Sequence, residues 1–310
     1  MDRRNFLTTG VAATAAIAAA DARADHHQGD ADAGETRPFH LAYGPHEGMF
    51  RNLAGDDIVD QIKFAADHGF RAWEDNTMTR RDPAEQERIG KALSDRDMQM
   101  GVFVVTDLDD NFKKVTFARE DKAEWDKVLA SIKAGVEVAK RCGATWMTVV
   151  PGLEDPKLAF EYQTANAIEL LKRCCEILEP HDLVMVLEPL NHRTNHPGVF
   201  LYGTPQAYQI CRAVDSPACK ILYDIYHQQI TEGNLIPNID MAWDEIAYFQ
   251  AGDNPGRKEP TTGEINYRNV FGHIHSKGFE GVIGMEHGLS GKGEAGERRL
   301  IEAYREVDDF

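Results

Sequence analysis

The chain has 310 residues, of which 42% are hydrophobic and 27% are charged, and 34 lysines and arginines against 51 aspartates and glutamates leave a formal charge of −17. This composition excludes a disordered or fibrous protein, and the length suffices for one large core or two small ones. The negative charge disfavours nucleic-acid binding, because it repels phosphate backbones and the basic residues form no cluster larger than pairs such as Arg80-Arg81.

The N-terminus has the pattern of a cleavable export signal. Arg3-Arg4 precedes an alanine-rich apolar run at residues 11–20, and Ala22-Arg23-Ala24 resembles a cleavage sequence. The apolar run is too short to span a bilayer. We therefore predict a twin-arginine signal peptide over residues 1–24, a flexible linker over 25–37 and a periplasmic mature protein without stable membrane anchoring. An amphipathic interfacial helix is the alternative for the first segment.

From residue 38 onward, short apolar runs alternate with longer amphipathic stretches. The apolar runs are predicted strands, and they lie at residues 39–43, 70–74, 98–105, 146–150, 183–188, 220–224, 247–251 and 281–286. The amphipathic stretches are predicted helices, and they lie at residues 57–68, 83–94, 121–141, 158–178, 205–214, 266–275 and 294–306. Thr204 is a predicted helix N-cap followed by Pro205, and Gly69 and Gly278 stand where helices should end.

Strands that alternate with helices predict a parallel sheet. Eight such units in about 270 residues match the usual size of a closed (β/α)₈ TIM barrel, which we predict as one α/β domain over residues 38–310. A doubly wound open sheet is the alternative. That fold usually has a glycine-rich phosphate loop after its first strand, and Tyr43-Gly44-Pro45-His46-Glu47-Gly48 does not have this pattern.

The cysteines give little sign of a disulfide framework. Their number is odd, none forms a C-x-x-C motif, and a bridge between the adjacent Cys174 and Cys175 would be strained within a helix. We predict that all five are buried small residues, although one pairing in an oxidising compartment stays open. The remaining three are Cys142, Cys211 and Cys219.

Oxygen-bearing side chains end four consecutive predicted strands. They are Glu188, Asp224, Gln250 and Glu286, each about one βα unit from the next. Because functional side chains of a parallel barrel gather at the C-terminal ends of its strands, we expect these four to converge. Three facing carboxylates cannot all stay ionised without a cation, and oxygen ligands favour Mn²⁺ or Mg²⁺, with Co²⁺ as a further candidate. Each residue alone would equally fit a helix cap or an ion pair.

Several segments at and beyond these strand ends share one family pattern. They are Glu188-Pro189-Leu190-Asn191, Tyr223-Asp224-Ile225-Tyr226-His227, Gln250 with Asp253-Asn254-Pro255-Gly256-Arg257 and Glu259-Pro260, Gly263-Glu264-Ile265-Asn266-Tyr267, and Gly284-Met285-Glu286. In these segments the chain resembles the hydroxypyruvate isomerase family, which lies within the xylose-isomerase-like TIM barrels of the sugar isomerase and epimerase superfamily.

The resemblance implies a role for each strand-end residue. The implied metal ligands are Glu188, Asp224, Gln250 and Glu286, of which Glu188 and Glu286 also exchange protons with the substrate. His227 and Arg257 would hold substrate oxygens, although a structural histidine and a surface ion pair with Glu259 are the alternatives. Glu74 and Asn191 are further candidates for substrate contact, and Glu74 equally fits a helix cap or a salt bridge. The resemblance also implies a homo-oligomer, a dimer or a tetramer.

These residues suit proton transfer next to a carbonyl group. A metal bound to the adjacent carbonyl and hydroxyl oxygens of a substrate would stabilise an enediolate, while two carboxylates exchange the carbon-bound proton. We therefore predict a divalent-metal-dependent aldose-ketose isomerase acting on hydroxypyruvate or a similar small hydroxy-keto acid. The alternatives are a ketose 3-epimerase or an isomerase of a neutral sugar with the same site, and a non-catalytic periplasmic sugar-acid binder. A metal-dependent endonuclease is disfavoured by the negative charge.

Overall fold

Eight short strands alternate with helices in the computed structural model, which describes residues 37–107 and 109–310. The strands are β1 (Ala42–Gly44), β2 (Ala72–Trp73), β3 (Gln99–Met100), β4 (Trp146–Val149), β5 (Val184–Leu187), β6 (Cys219–Asp224), β7 (Ile246–Gln250) and β8 (Val282–Gly284). Each lies within one residue of a predicted run, so all eight strand predictions are confirmed. The predicted signal peptide and nearly all of the predicted linker lie outside the described residues.

The helices follow the predicted amphipathic stretches. They are α1 (Arg51–Ala54), α2 (Ile58–Asp67), α3 (Pro83–Ser94), α4 (Lys122–Cys142), α5 (Phe160–Leu178), α6 (Thr204–Val214), α7 (Ile225–Thr231), α8 (Leu235–Ala242), α9 (Tyr267–Ser276) and α10 (Gly293–Val307). The sequence analysis missed α1, α7 and α8, which are short and have no long amphipathic repeat.

Aspartate side chains begin several helices. Asp57 accepts hydrogen bonds from backbone N–H groups at the start of α2, and Asp82 caps α3 with Pro83 as its first residue. The predicted cap at Thr204 is wrong by one residue, because Gly203 is the N-cap of α6. The Thr204 hydroxyl instead donates to Gln228 Oε1 at 3.3 Å.

The strands close into a barrel. Hydrogen bonds between parallel strands give one sheet in the order β1-β8-β7-β6-β5-β4 and a second sheet of β2 and β3. An isolated parallel bridge between His46 and Glu74 joins the end of β1 to the end of β2. Bridges from Met100 to Ala144 and from Val104 to Thr148 connect the β3 region to β4. The circle is therefore complete, which confirms the predicted (β/α)₈ barrel and excludes the open sheet.

Two layers of apolar side chains hold this barrel together. A larger cluster packs between the strands and the surrounding helices, and a smaller one fills the barrel interior. The interior residues, which come from seven of the eight strand regions, are Ala42, Ala72, Val102, Val186, Leu222, Tyr248 and Val282. Burial of a side chain of valine or leucine size stabilises a fold by about 1.5–3 kcal/mol relative to exposure. Apolar side chains from seven strand regions therefore contribute to the stability of the barrel.

Cysteine burial and helix composition are two further features of the described residues. All five cysteine side chains are buried, as predicted. Among the helices in the described part of the chain, none is both long enough and apolar enough to cross a membrane.

Candidate metal and substrate site

The four strand-end residues lie at one mouth of the barrel. Asp224 and Gln250 are the last residues of β6 and β7, and they are register partners in the sheet. Glu188 directly follows β5, and Glu286 stands two residues after β8. The parallel strands therefore bring together the residues that the sequence analysis expected to converge.

Three of the buried side chains at this mouth are close enough to share one ion. One ligand atom from each of Glu188, Asp224 and His227 lies within 4.8 Å of the other two. His227 Nε2 is 3.6 Å from Asp224 Oδ2 and 3.9 Å from Glu188 Oε1. These separations are longer than hydrogen bonds, so His227 Nε2 has no hydrogen-bond partner among the described residues.

Asp224 links the end of β6 to the start of α7. Its Oδ1 accepts hydrogen bonds from the backbone N–H of Tyr226 at 2.8 Å and of His227 at 3.3 Å, so it is the N-cap of α7. This cap places His227 in the first turn of the helix, on the site side of the strand end. The other oxygen, Oδ2, accepts a hydrogen bond of 2.9 Å from Arg257.

Asn191 fixes the tautomer of His227. The backbone N–H of Asn191 donates to His227 Nδ1 at 3.2 Å, and Asn191 Nδ2 lies 2.6 Å from the same nitrogen. The amide orientation is set because Asn191 Oδ1 accepts from the backbone N–H of Thr194 and of Asn195. Burial lowers the pKa of His227 to about 3, so the ring is neutral with its proton on Nε2.

The tautomer of His227 decides between two roles of the ring, hydrogen-bond donation to a substrate and metal ligation. A protonated Nε2 can donate a hydrogen bond, whereas a metal ligand needs an unprotonated ring nitrogen. The geometry thus suits the substrate contact expected for His227 better than metal ligation. Asn191, which is fully buried on the Nδ1 side of the ring, orients His227, and its own expected contact with the substrate stays a prediction.

Arg257 joins the carboxylates of two strands. Its Nη2 donates to Asp224 Oδ2 at 2.9 Å and to Glu286 Oε2 at 2.8 Å, and its guanidinium lies 4.9 Å from the centre of the Tyr226 ring. Burial alone would lower the pKa of Arg257. The charges of Glu286 and Asp224 outweigh this effect and raise the pKa above its ordinary value. The alternative expectation, a surface ion pair with Glu259, does not describe this arrangement, because Glu259 is buried and accepts hydrogen bonds from Ser290.

The loop that holds Arg257 is organised by one buried aspartate. Asp253 accepts hydrogen bonds from the backbone N–H groups of Asn254 at 2.9 Å, Gly263 at 2.8 Å and Ile265 at 3.1 Å. Arg257 itself has φ of 50°, a left-handed conformation that this loop must stabilise. The loop therefore depends on a carboxylate that accepts from three donors.

Replacement of Asp253 by asparagine is expected to lower the free energy of unfolding by about 1–3 kcal/mol, because the amide NH₂ group takes the place of one carboxylate oxygen and cannot accept from the backbone N–H that this oxygen served. Urea unfolding followed by circular dichroism measures the change. Asp95→Asn is the control, since that side chain is exposed and pairs with Lys91 on α3, and it should stay within about 0.5 kcal/mol of wild type. Equal unfolding midpoints for the two variants would contradict this role of Asp253.

The carboxylates of the site have too little positive charge around them. Burial, followed by the charges of Glu286 and Asp224, raises the pKa of Glu188 well above its ordinary value. Burial also raises the pKa of Glu286 to about 7, although the charge of Arg257 opposes this. Arg257 thus offsets part of the negative charge, and the remainder favours an added cation.

Gln250 and Glu74 meet on the interior side of the site. Gln250 Nε2 donates to Glu74 Oε1 at 3.0 Å, and the Tyr248 hydroxyl donates to Glu74 Oε2 at 2.8 Å. Glu74 is 1% exposed, and burial together with the Glu286 charge raises its pKa well above its ordinary value. Both carboxylate oxygens of Glu74 therefore accept from protein donors, and its expected substrate contact stays a prediction.

These residues fit a divalent cation. Gln250 Oε1 is buried and has no hydrogen-bond partner among the described residues, so this acceptor oxygen is free to ligate a cation. Carboxylate and amide oxygens from Glu188, Asp224, Gln250 and Glu286 are the ligands that Mn²⁺ and Mg²⁺ prefer.

Sequence reasoning missed the supporting residues. Asn76, which follows β2 by three residues, donates to Glu286 Oε1 at 3.3 Å, and Tyr248 and Asp253 support Glu74 and the Arg257 loop. Tyr248 alternates with Gln250 along β7, so period-two alternation offered a signal that both face the barrel interior. Asn76 and Asp253 lie in loops, where no such periodicity exists.

Comparisons with known proteins agree with this architecture. The chain is 34% identical over 174 residues to hydroxypyruvate isomerase of Escherichia coli, and the match covers 56% of this chain and 67% of that protein. It is 28% identical over 165 residues to 2-oxo-tetronate isomerase of Pectobacterium atrosepticum, covering 53% of this chain and 63% of that protein. The chain thus spans about two thirds of the length of these relatives, and 57% of a related zebrafish protein.

A solved structure has the same fold. The crystal structure of an AP endonuclease, family 2, from Brucella melitensis superposes with a TM-score of 0.70 at 22% identity, covering 83% of this chain and 96% of that one. The model of the family described as xylose isomerase-like TIM barrel matches residues 62–307, which is most of the chain. This protein therefore belongs to the xylose isomerase-like TIM barrel family.

Proposed function

We propose that this protein is a divalent-metal-dependent aldose-ketose isomerase acting on hydroxypyruvate or a similar short hydroxy-keto acid. The observation that carries the proposal is the buried group of Glu188, Asp224 and His227 beside Arg257 at the mouth of the barrel. The names of the E. coli and Pectobacterium relatives, isomerases of hydroxypyruvate and of 2-oxo-tetronate, support this class of reaction and substrate.

In this proposal two glutamates exchange protons with the substrate. A divalent cation held by the strand-end oxygens would polarise the substrate carbonyl and stabilise the negative charge that develops on it. The Glu188 carboxylate takes the proton from the carbon that bears the hydroxyl group, and protonated Glu286 delivers a proton to the neighbouring carbon. Exchange with solvent then removes the proton from Glu188 and returns one to Glu286 before the next turnover. One C–H bond breaks and another forms, while the hydroxyl proton passes to the former carbonyl oxygen. The product is an isomer, and no external oxidant is needed.

Two further side chains hold the substrate in this proposal. His227 donates its Nε2–H to a substrate oxygen, which would satisfy a buried donor that has no partner among the described residues. Arg257 offers a planar fork that suits a carboxylate, and a carboxylate distinguishes a hydroxy-keto acid from a neutral sugar. To reach the substrate, Arg257 has to release at least one of its two hydrogen bonds to Asp224 and Glu286.

Conversion in deuterated water tests the reaction. Mn²⁺-loaded protein is incubated with a panel of short hydroxy-keto acids and neutral ketoses, and proton NMR follows the carbon-bound protons. Isomerisation predicts loss of one carbon-bound proton together with the appearance of an aldehyde. Exchange with an inverted stereocentre and no aldehyde would indicate the epimerase alternative, and binding without exchange of any panel member would indicate a non-catalytic binder.

We also propose that the enzyme acts in the periplasm as a homo-oligomer. The twin arginines and the apolar run of the N-terminal sequence support export, and the family resemblance supports the assembly.

A further inference from the structure

A buried hydrogen-bonded layer lies below the candidate metal site. Its centre is the Glu74 carboxylate, which accepts from Tyr248 on one oxygen and from Gln250 on the other. Tyr248 in turn accepts a 3.3 Å hydrogen bond from the backbone N–H of Val102. This layer joins the ends of β2 and β7 across the barrel interior, although Glu74 and Gln250 are 176 residues apart in sequence.

Two glycines make room for this layer. A Cβ atom at Gly284 in β8 would overlap the Glu74 carboxylate, and a Cβ atom at Gly101 would overlap the Tyr248 hydroxyl. Neither glycine has a positive φ, so backbone conformation does not require glycine at these positions. Glycine is required there because the Glu74 and Tyr248 side chains approach the backbone closely, which shows that the interior is shaped around this pair.

The layer determines which way the Gln250 amide faces. An amide side chain can present either its oxygen or its nitrogen in a given direction, and a single acceptor is enough to choose. Because Nε2 donates to Glu74, Oε1 faces the opposite way and stays buried without a partner among the described residues. A flipped amide would bring two oxygens together at Glu74 and would turn an N–H group toward the candidate metal site.

We propose that Glu74 is a positioning residue that acts through Gln250, holding the Gln250 oxygen toward the bound cation. This role rests on the proposed function, because it assumes the strand-end metal site. It also accounts for a neutral amide at position 250, since a glutamate there would place a second carboxylate within hydrogen-bond reach of Glu74. Glu74 itself does not contact the substrate in this assignment.

A double-mutant cycle on Mn²⁺ affinity tests the proposal. Isothermal titration calorimetry with Mn²⁺ alone is applied to wild type, Glu74→Gln, Gln250→Ala and the double variant. Glu74→Gln is expected to weaken binding about 10-fold in the wild-type background, because glutamine keeps one acceptor oxygen, for which Gln250 Nε2 and the Tyr248 hydroxyl then compete. In the Gln250→Ala background, Glu74→Gln is expected to weaken Mn²⁺ binding by less than about 2-fold, because the residue through which Glu74 acts is missing.

If Glu74 had a merely structural role, Glu74→Gln would weaken Mn²⁺ binding equally with and without the Gln250 side chain. Equal losses in the two backgrounds would overturn the assignment while leaving the metal site intact. Glu245→Gln is the matched control, since Glu245 is also buried but directly precedes β7 and accepts a hydrogen bond from Lys220, and it should leave Mn²⁺ affinity unchanged. Absence of Mn²⁺ binding by wild-type protein would overturn the proposed function, and the role of Glu74 with it.

A measurement on wild-type protein covers the case in which Glu74→Gln does not fold. The side-chain amide resonance that disappears in Gln250→Ala identifies Gln250 in ¹H–¹⁵N spectra. Its protons are expected to exchange slowly with solvent, because Nε2 is bonded to a buried carboxylate. Fast exchange of this resonance would overturn the proposal without any substitution at Glu74.

Discussion

Replacement of Glu286 by glutamine is expected to lower kcat by about 10²–10⁴-fold on the hydroxy-keto acid that the wild-type enzyme converts. The carboxylate is proposed to deliver a proton to substrate carbon, and an amide of nearly the same shape cannot do so. Steady-state assays at saturating Mn²⁺ measure the effect. Calorimetry with Mn²⁺ is needed in parallel, because Glu286 is also an expected metal ligand.

The two roles of Glu286 give different signatures. A loss that disappears when the Mn²⁺ concentration is raised would show that Glu286 serves as a ligand alone, and it would contradict proton exchange. Glu294→Gln, on the exposed first turn of α10, is the matched control and should keep wild-type kcat. A non-catalytic binder would have no turnover to lose, and the variant would retain affinity for the ligand.

The strand ends were predictable because their signal is local. A buried parallel strand reads as a short apolar run, and the first polar residue after it marks the end of that run. Glu188 and Asp224 are such residues, so their position at the mouth of the barrel followed from the fold. The (β/α)₈ architecture itself followed from the count and spacing of the runs.

The supporting contacts were not predictable in this way. Asn191 and His227 lie 36 residues apart, and Glu74 and Tyr248 lie 174 residues apart, so their contacts exist only once the barrel has closed. No periodicity within one element reports a hydrogen bond between two elements. For this reason the sequence placed Glu74 at a strand end but could not tell substrate contact from support of Gln250.

The two helices between β6 and β7 were also not predictable from the sequence. Helices α7 and α8 have 7 and 8 residues, too few turns for an amphipathic repeat to stand out from a loop. The start of α7 is set by Asp224, which ends β6 and caps the helix with the same side chain. One aspartate therefore couples a strand end, a helix start and the orientation of His227.

Replacement of Arg257 by methionine is expected to destabilise the metal-free protein by about 2 kcal/mol, which lowers Tm by about 4–8 °C for a barrel of this size. The substitution removes the donor to Asp224 and Glu286 and leaves their carboxylates facing each other. The estimate is smaller than for a fully buried pair, because 26% of the Arg257 side chain is exposed. Differential scanning calorimetry after treatment with EDTA measures the change.

Mn²⁺ should reverse most of this loss, because a dication at the strand ends replaces the missing guanidinium charge. The rise in Tm on adding Mn²⁺ is therefore expected to be larger in Arg257→Met than in wild type. Arg212→Met is the matched control, since it removes a guanidinium that also pairs with two carboxylates, Asp244 and Glu245, away from the mouth of the barrel. Its response to Mn²⁺ should equal that of wild type. If Arg257→Met shows no larger response than this control, Arg257 does not share its carboxylate partners with the cation.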